Sequence, residues 1–417
     1  MIDIQEALDA VLAAVRPLPP EDVPLLEACG RATAAAVVSP ESVPTFDNSA
    51  MDGYAVRGSA LEAGRREFRV VVDIPAGRWV GDRVGDGEAA KIMTGAPIPP
   101  GVDTVVPVEL AEQDSDKLFV HTPVGAGANV RRAAEDIAAG DVLLERGAFL
   151  APADVGLLAS VGHQSVAVVR RPRVAILATG SELVPPGLPL GPGQIRNSNS
   201  FTAYGQVVAA GGDPILLGIA PDDLSETRRL IAAALDQDVV ITSGGVSVGE
   251  FDFVKQVQDE LGVVRRFWGV AAKPGKPIAF GTRRDTLVFG VPGNPVAAMV
   301  CFELYVRPAL LALQGRRDLY RPFVYAAAEE TVRPNRERTD LRRCRLVRRE
   351  RGWGFTTTGR QGSGILRSMA QADGLALVPP GHPGADAGEE FAVMLLDGRA
   401  TDRPPFPRSP GRASATG

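Results

Sequence analysis

The chain is poor in residues that make covalent or soft-metal chemistry. Its 417 residues include three cysteines and three histidines. Cys29, Cys301 and Cys344 lie far apart, and His121, His163 and His382 form no cluster, so neither zinc spacing nor a disulfide framework emerges. A net charge of −5 argues against broad nucleic-acid binding. The opening segment MIDIQEALDA lacks a basic-then-apolar leader, and no apolar run approaches membrane-spanning length. These absences point to a cytoplasmic protein with reduced thiols and neither a membrane nor a nucleic-acid partner. A Walker loop is missing, GxGxxG does not follow the first α/β strand, and Ser247 has no histidine in the neighbouring loops. Kinase, dinucleotide dehydrogenase and triad hydrolase readings therefore fall.

What is present is an ordinary globular composition, 45% hydrophobic and 23% charged, with 46 glycines and 34 prolines that imply many turns. The length suits two to four domains. Apolar spacing predicts a helix over 3–16, with Asp3 as its N-cap and Pro17, Pro19 and Pro20 beyond its end. A second Ala-rich element covers 25–38, and helical spacing returns over 142–163. Between them, strands are expected at 68–72, 104–108 and 118–120. The reading is a helical, dimerising domain (1–44 plus 131–170) interrupted by a β domain (45–130). Strands at 174–177, 214–217, 238–241, 263–270 and 287–290 then alternate with helices, including a long one over 296–313. This predicts a doubly wound parallel α/β domain over 171–315. A small C-terminal β domain follows over 316–400, and a Pro, Ser and Arg-rich tail (401–417) is expected to be disordered.

The chemistry gathers in loops. Residues 238–249, DVVITSGGVSVG, join an apolar strand to Ser243, Gly244, Gly245 and Ser247. Such a loop at the carboxyl end of a parallel strand is either a phosphate cradle or a tight turn. Lys273 and Lys276, set around Gly275 between prolines, form a cationic corner suited to an oxyanion. Glu182, Asp222, Glu250 and Asp252 supply carboxylates to the same sheet edge, and the set suits Mg²⁺ beside a phosphate. In VPTFDNSAMDGYAV (43–56) the cluster around Asp47, Asn48, Ser49 and Asp52 suits a hard cation, a polar substrate or a capped turn, and spacing alone favours the turn. The charge run around Arg131, Arg132, Glu135 and Asp136 reads as local ion pairs.

Taken in order, FDNSAMDGYAV, IMTGAP, NVRRAAEDI, ATGSEL, GQIRNSNS, SGGVSVGEFD, KPGKP and VPGNP resemble the molybdopterin molybdenumtransferase (MoeA) family. The likeness runs over about residues 1–398. It implies a homodimer of four-domain subunits, with a third domain of MogA/MoaB-like fold and a β-barrel fourth. The implied reaction inserts molybdate into adenylated molybdopterin, releases AMP and needs Mg²⁺. A MogA-like molybdopterin adenylyltransferase would donate the adenylate, and molybdoenzyme maturation factors are further implied partners. By the same resemblance, Lys273 and Lys276 match a molybdate pocket completed by Arg338 or Arg343 and by Ser363. Glu182, Asp222 and Asp252 match acidic positions that hold the metal or position hydrolysis. Ser243, Gly244, Gly245, Ser247, Pro292, Gly293, Asn294 and Pro295 would receive the pterin phosphate. Asp52, Thr94 and Asp136 match functional positions that in the family dimer face the α/β domain of the other subunit. Three positions depart from family patterns. Ser181 stands where many members carry aspartate, Gly269 where some carry lysine, and Ala297 where plant relatives carry serine. Preference for tungstate is compatible with the same residues.

Overall fold

The computed structural model describes residues 1–244, 253–334, 337–350, 352–384 and 386–396. The chain divides into two compact units, Met1–Pro19 with Arg170–Gly417, and Pro20–Val169. The expected tail lies outside the described residues.

In the first unit, the helix Ile4–Ala14 begins as the sequence predicts, with the Asp3 carboxylate accepting the Glu6 N–H at 2.7 Å. Its buried Ala7, Leu8 and Val11 pack into the core of the α/β layer. That layer is a six-stranded sheet in the order Asp213–Ala220, Arg173–Thr179, Val239–Ser243, Thr286–Val291, Ala279–Arg283, Val264–Trp268. The first four strands are mutually parallel. The last two pair antiparallel, a departure from the all-parallel expectation. The unexpected strand is Ala279–Arg283, returned by a tight turn in which Arg284 has φ +51°. Arg284 is neither Gly nor Asn, so the turn carries no sequence signal.

Alternate strand residues feed opposite cores, the mark of a doubly wound sheet. Val174, Ile176, Val239, Ile241 and Phe289 face the helices Asn199–Ala209 and Pro295–Leu313. Ala175, Leu177, Val240 and Val288 face Leu224–Ala234 and Phe253–Glu260. Each fully buried Val, Ile or Phe contributes about 1.5–3 kcal/mol before conformational entropy is counted.

Contrary to the expectation that no apolar run approaches membrane-spanning length, the helix Pro295–Leu313 has that length and hydropathy, alone among the described residues, and 78% of its apolar window is buried inside the fold. It is a core helix. Its middle, Phe302–Val306, widens to a π-turn ahead of Pro308, whose ring and missing N–H a regular α-helix would not accommodate.

The C-terminal strands close a five-stranded barrel in the order Thr339–Arg348, Trp353–Thr357, Phe323–Ala328, Glu390–Leu395, Gly374–Val378 and back to the first. Cys344, Phe355, Phe391 and Val393 fill it. Leu341, Leu375 and Leu396 instead join the α/β core, and Ala272–Lys273 pairs in parallel with Thr339 and Asp340. The barrel and the lysine loop are thereby one construction.

The second unit holds a six-stranded sheet, Thr104–Pro107, Gly53–Val56, Glu88–Ile92, Glu67–Ile74, Lys117–Val120, Ala111–Asp114, with one parallel pair. Beside it, Pro20–Pro24 pairs with Ser165–Val169, against the helices Leu25–Ala28 and Pro152–Ser160. The helical spacing over 142–163 becomes helix only in Pro152–Ser160. Upstream, Gly140 and Gly147 take positive φ and turn the chain, and Val142–Leu144 pairs with Val37–Val38.

Candidate functional site

A cleft of about 650 Å³ opens in the first unit, within the range of small-molecule sites. It lies at the carboxyl ends of Arg173–Thr179 and Val239–Ser243. From Arg173–Thr179 the chain proceeds to a neighbour on one side and later to a neighbour on the other. This is the switch point where open α/β sheets bind ligands. Thr179, Ser243 and Gly244 form the floor, and Asn199 and the Pro292–Pro295 loop form walls at the amino ends of two helices. Helix amino ends favour anions.

Glycine is needed at Gly244. Its φ is +93°, and a Cβ there would lie 2.7 Å from Thr179 Oγ1 and 2.8 Å from the Thr179 carbonyl oxygen. The Pro292–Pro295 loop is fixed from two directions. Buried Asn199 donates to its Gly293 carbonyl at 2.8 Å, and the Val296 N–H donates to the Ser363 carbonyl at 3.0 Å. Through Ser363, the barrel's 360–364 loop meets the helix end, and Gly364 lines the cleft. The sequence places RNSN (196–199) among the polar loops of this sheet edge but gives Asn199 no role of its own. Its signal was an amide in a loop beside the apolar strand ends.

Arg343 anchors that barrel loop from within. It is 0% exposed, and its Nε donates to Ser368 Oγ at 2.8 Å while Nη2 reaches the carbonyls of Arg360 and Gly362 at 3.3 and 3.2 Å. Burial first, then the charge of Arg342, push its pKa down to about 10, against the opposing effect of Asp340. Arg338 is placed differently, reaching the Ala272 carbonyl at 3.4 Å beside half-buried Lys273. Lys276 is exposed. The lysine loop gives Pro277 to the cleft wall, and neither lysine lines the cleft itself.

Of the acidic residues, Glu182 lines the cleft and is exposed. Asp222 is exposed nearby in the chain's next strand-end loop, and its Oδ2 accepts Ser181 Oγ at 2.5 Å. Ser181 thus bonds a carboxylate rather than supplying one. Gly245, Ser247, Glu250 and Asp252 lie outside the described residues. Among the described residues no group of three or more His, Cys, Asp or Glu side chains is arranged to hold a metal. Glu182 and Asp222 remain hard oxygen donors open to water and ligand, a chemistry that suits Mg²⁺.

In the second unit the structure brings Asp52 and Thr94 together. Asp52 Oδ1 accepts the Thr94 N–H at 2.7 Å and its hydroxyl at 2.8 Å. These two bonds, the backbone one foremost, hold the Asp52 carboxyl below its ordinary pKa. Asp47 accepts from the Ala133 N–H at 2.8 Å and from Arg132 at 2.6 Å, so the ion pair of the charge run reaches back to the Asp47 loop, while Glu135 accepts the Arg132 backbone N–H at 2.7 Å. Asp136 is exposed, its N–H donating to the Val43 carbonyl at 3.0 Å.

Comparison with known proteins accounts for nearly the whole chain. Residues 2–162 match the MoeA N-terminal region (domain I and II), 175–312 a probable molybdopterin binding domain, and 325–396 the MoeA C-terminal region (domain IV). A Mycobacterium tuberculosis protein named molybdopterin molybdenumtransferase 2 is 36% identical over 408 residues, covering 95% of this chain and 100% of its own. The Haemophilus influenzae molybdopterin molybdenumtransferase is 38% identical over 381 residues, covering 90% of this chain and 94% of its own. Among solved structures, the molybdopterin biosynthesis MoeA protein of Pyrococcus horikoshii superposes with a TM-score of 0.82 at 31% identity, over 95% of this chain and 100% of that one. The cleft at the switch point, the closed C-terminal barrel and these relatives lead to one conclusion: the chain belongs to the molybdopterin molybdenumtransferase (MoeA) family and has a role in molybdenum cofactor biosynthesis.

Proposed function

We propose that the protein inserts molybdate into adenylated molybdopterin and releases AMP. The observation that carries the reading is the 650 Å³ cleft with Ser243, Gly244 and the Pro292–Pro295 loop at two helix amino ends, beside a two-lysine corner. A phosphate suits the cleft because two helix amino ends, the Ser243 hydroxyl and Arg196 line it. Molybdate is a tetrahedral dianion, and Lys273 and Lys276 offer it compact positive charge. Arg338 stands beside Lys273, whereas the inward guanidinium of Arg343 keeps the loop bearing Ser363 in place.

Glu182 and Asp222 would hold Mg²⁺, which when bound neutralises charge on the adenylate phosphates. The Ser181 hydroxyl orients the Asp222 carboxylate for that task. In a homodimer, Asp52, Thr94 and Asp136 would be supplied to a site by the other subunit. Exposed Phe201, Tyr204 and Val208, at one helical face of Asn199–Ala209, support self-association. A MogA-like adenylyltransferase would deliver the substrate in the cytoplasm, and molybdoenzyme maturation factors would receive the product.

The test supplies purified protein with adenylated molybdopterin, molybdate and Mg²⁺, and follows AMP release and activation of an apo-molybdoenzyme. Lys273→Ala should raise the molybdate requirement at least about tenfold with the fold intact. Absence of AMP release, or a Lys273→Ala variant indistinguishable from the parent, would sink the proposal.

A further inference from the structure

Asn199 opens the helix Asn199–Ala209 and is buried at 9% exposure. Its Nδ2 lies 2.7 Å from Ser243 Oγ, 2.8 Å from the Gly293 carbonyl and 3.5 Å from the Pro292 carbonyl. The two carbonyls can only accept, so the group facing them must be the NH₂ and not the amide oxygen. The orientation of the amide follows from chemistry alone. The same NH₂ faces Ser243, so the Ser243 oxygen is the acceptor of that pair. A hydroxyl that accepts from one side keeps its hydrogen for another partner. Ser243 is 6% exposed and lines the cleft.

We infer that Asn199 is a positioning residue that turns the Ser243 hydroxyl into a donor aimed at a phosphate in the cleft, while tying the Pro292–Pro295 loop to the end of Val239–Ser243. One buried amide sets the direction of a donor and the spacing of two loops. An anion entering the cleft then meets a hydroxyl that needs no reorientation, which is where preorganisation gains affinity. This deepens the proposed reading by giving Asn199 a positioning role in its phosphate subsite, and it rests on that reading only for the identity of the phosphate's owner.

The experiment measures equilibrium binding of inorganic phosphate and, separately, of molybdopterin to the whole protein. The variants are Asn199→Ala, Ser243→Ala and the double. Each is checked for an unchanged unfolding transition, and Asn199→Ser, which keeps one donor, serves if the alanine variant does not fold. Loss of a hydrogen bond to a charged group predicts about 10- to 100-fold weaker phosphate binding for either single variant. Because Asn199 acts in part through that hydroxyl, the double variant should lose clearly less than the sum of the two singles. A merely structural role for Asn199 would give additive losses. Phosphate binding unchanged in Asn199→Ala, additive losses in the double, or no phosphate binding by the parent would each overturn the inference. If phosphate follows the expected pattern while molybdopterin fails to bind the parent, the inference stands and the transferase reading falls.

Discussion

Gly244→Ala should open the floor of the cleft at a cost readable in stability. An L-residue at φ +93° loses roughly 1–2 kcal/mol relative to glycine. The added methyl would also stand 2.7 Å from Thr179 Oγ1 and 2.8 Å from the Thr179 carbonyl oxygen. The hydroxyl can rotate away, but the carbonyl belongs to the end of a central strand and cannot yield. Overpacking of that kind adds about 1–3 kcal/mol, for a sum of about 2–5 kcal/mol. Gly293→Ala, in the facing loop, is the control. A Cβ there meets nothing within 4 Å, and Gly293 has no positive φ, so its effect should stay within about 0.5 kcal/mol. Urea unfolding followed by tryptophan fluorescence, to which Trp268 on the edge strand of the same sheet contributes, reports both variants. Equal midpoints for the two variants would refute the reasoning that close approach at Gly244 builds the floor.

Other consequences follow from the buried and charged contacts. Arg343→Met leaves the Ser368 hydroxyl and the Arg360 and Gly362 carbonyls without their donor, and should destabilise the protein by about 2–4 kcal/mol. Hydrogen exchange should rise in residues 360–364 before it rises elsewhere in the barrel. Asp238 is desolvated by burial, yet two 2.7 Å bonds from Arg170 and one from the Arg173 N–H keep its carboxyl below 3.8. A lowered carboxyl pKa stabilises the fold above the unfolded value, and the contribution disappears as pH falls through the folded value. Asp238→Asn should therefore narrow the stability difference between pH 6 and pH 3 measured by thermal unfolding. Thr94→Val removes the hydroxyl bond to Asp52 but not the backbone one. The Asp52 carboxyl, followed by carbon NMR, should rise part of the way to its ordinary value, and no rise would contradict the assigned geometry.

Much of the fold was legible in the sequence because it rests on local patterns. The strand ends at Thr179 and Ser243 follow apolar runs bounded by polar turns, and the Asp3 and Asp223 caps sit where hydrophobic periodicity begins. The strand Ala279–Arg283 was missed because its hairpin turns at Arg284, a residue without turn preference. The π-turn ahead of Pro308 depends on the surrounding core and leaves no periodic trace. The site was legible as a set of loops, not as roles. Arg343 is a pocket candidate by resemblance, and only closure of the barrel shows its guanidinium buried and spent on Ser368 and the 360–362 carbonyls. Asn199 looks like a helix cap, and its task appears only when loops about 45 and 95 residues downstream arrive beside it.

The most direct test is the position of the pterin phosphate in a crystal of this protein grown with molybdopterin. Phosphate oxygens should lie about 3 Å from Ser243 Oγ and within the Gly244 and Pro292–Pro295 walls. A phosphate bound away from the switch-point cleft, with Ser243 and Asn199 untouched, would contradict this assignment.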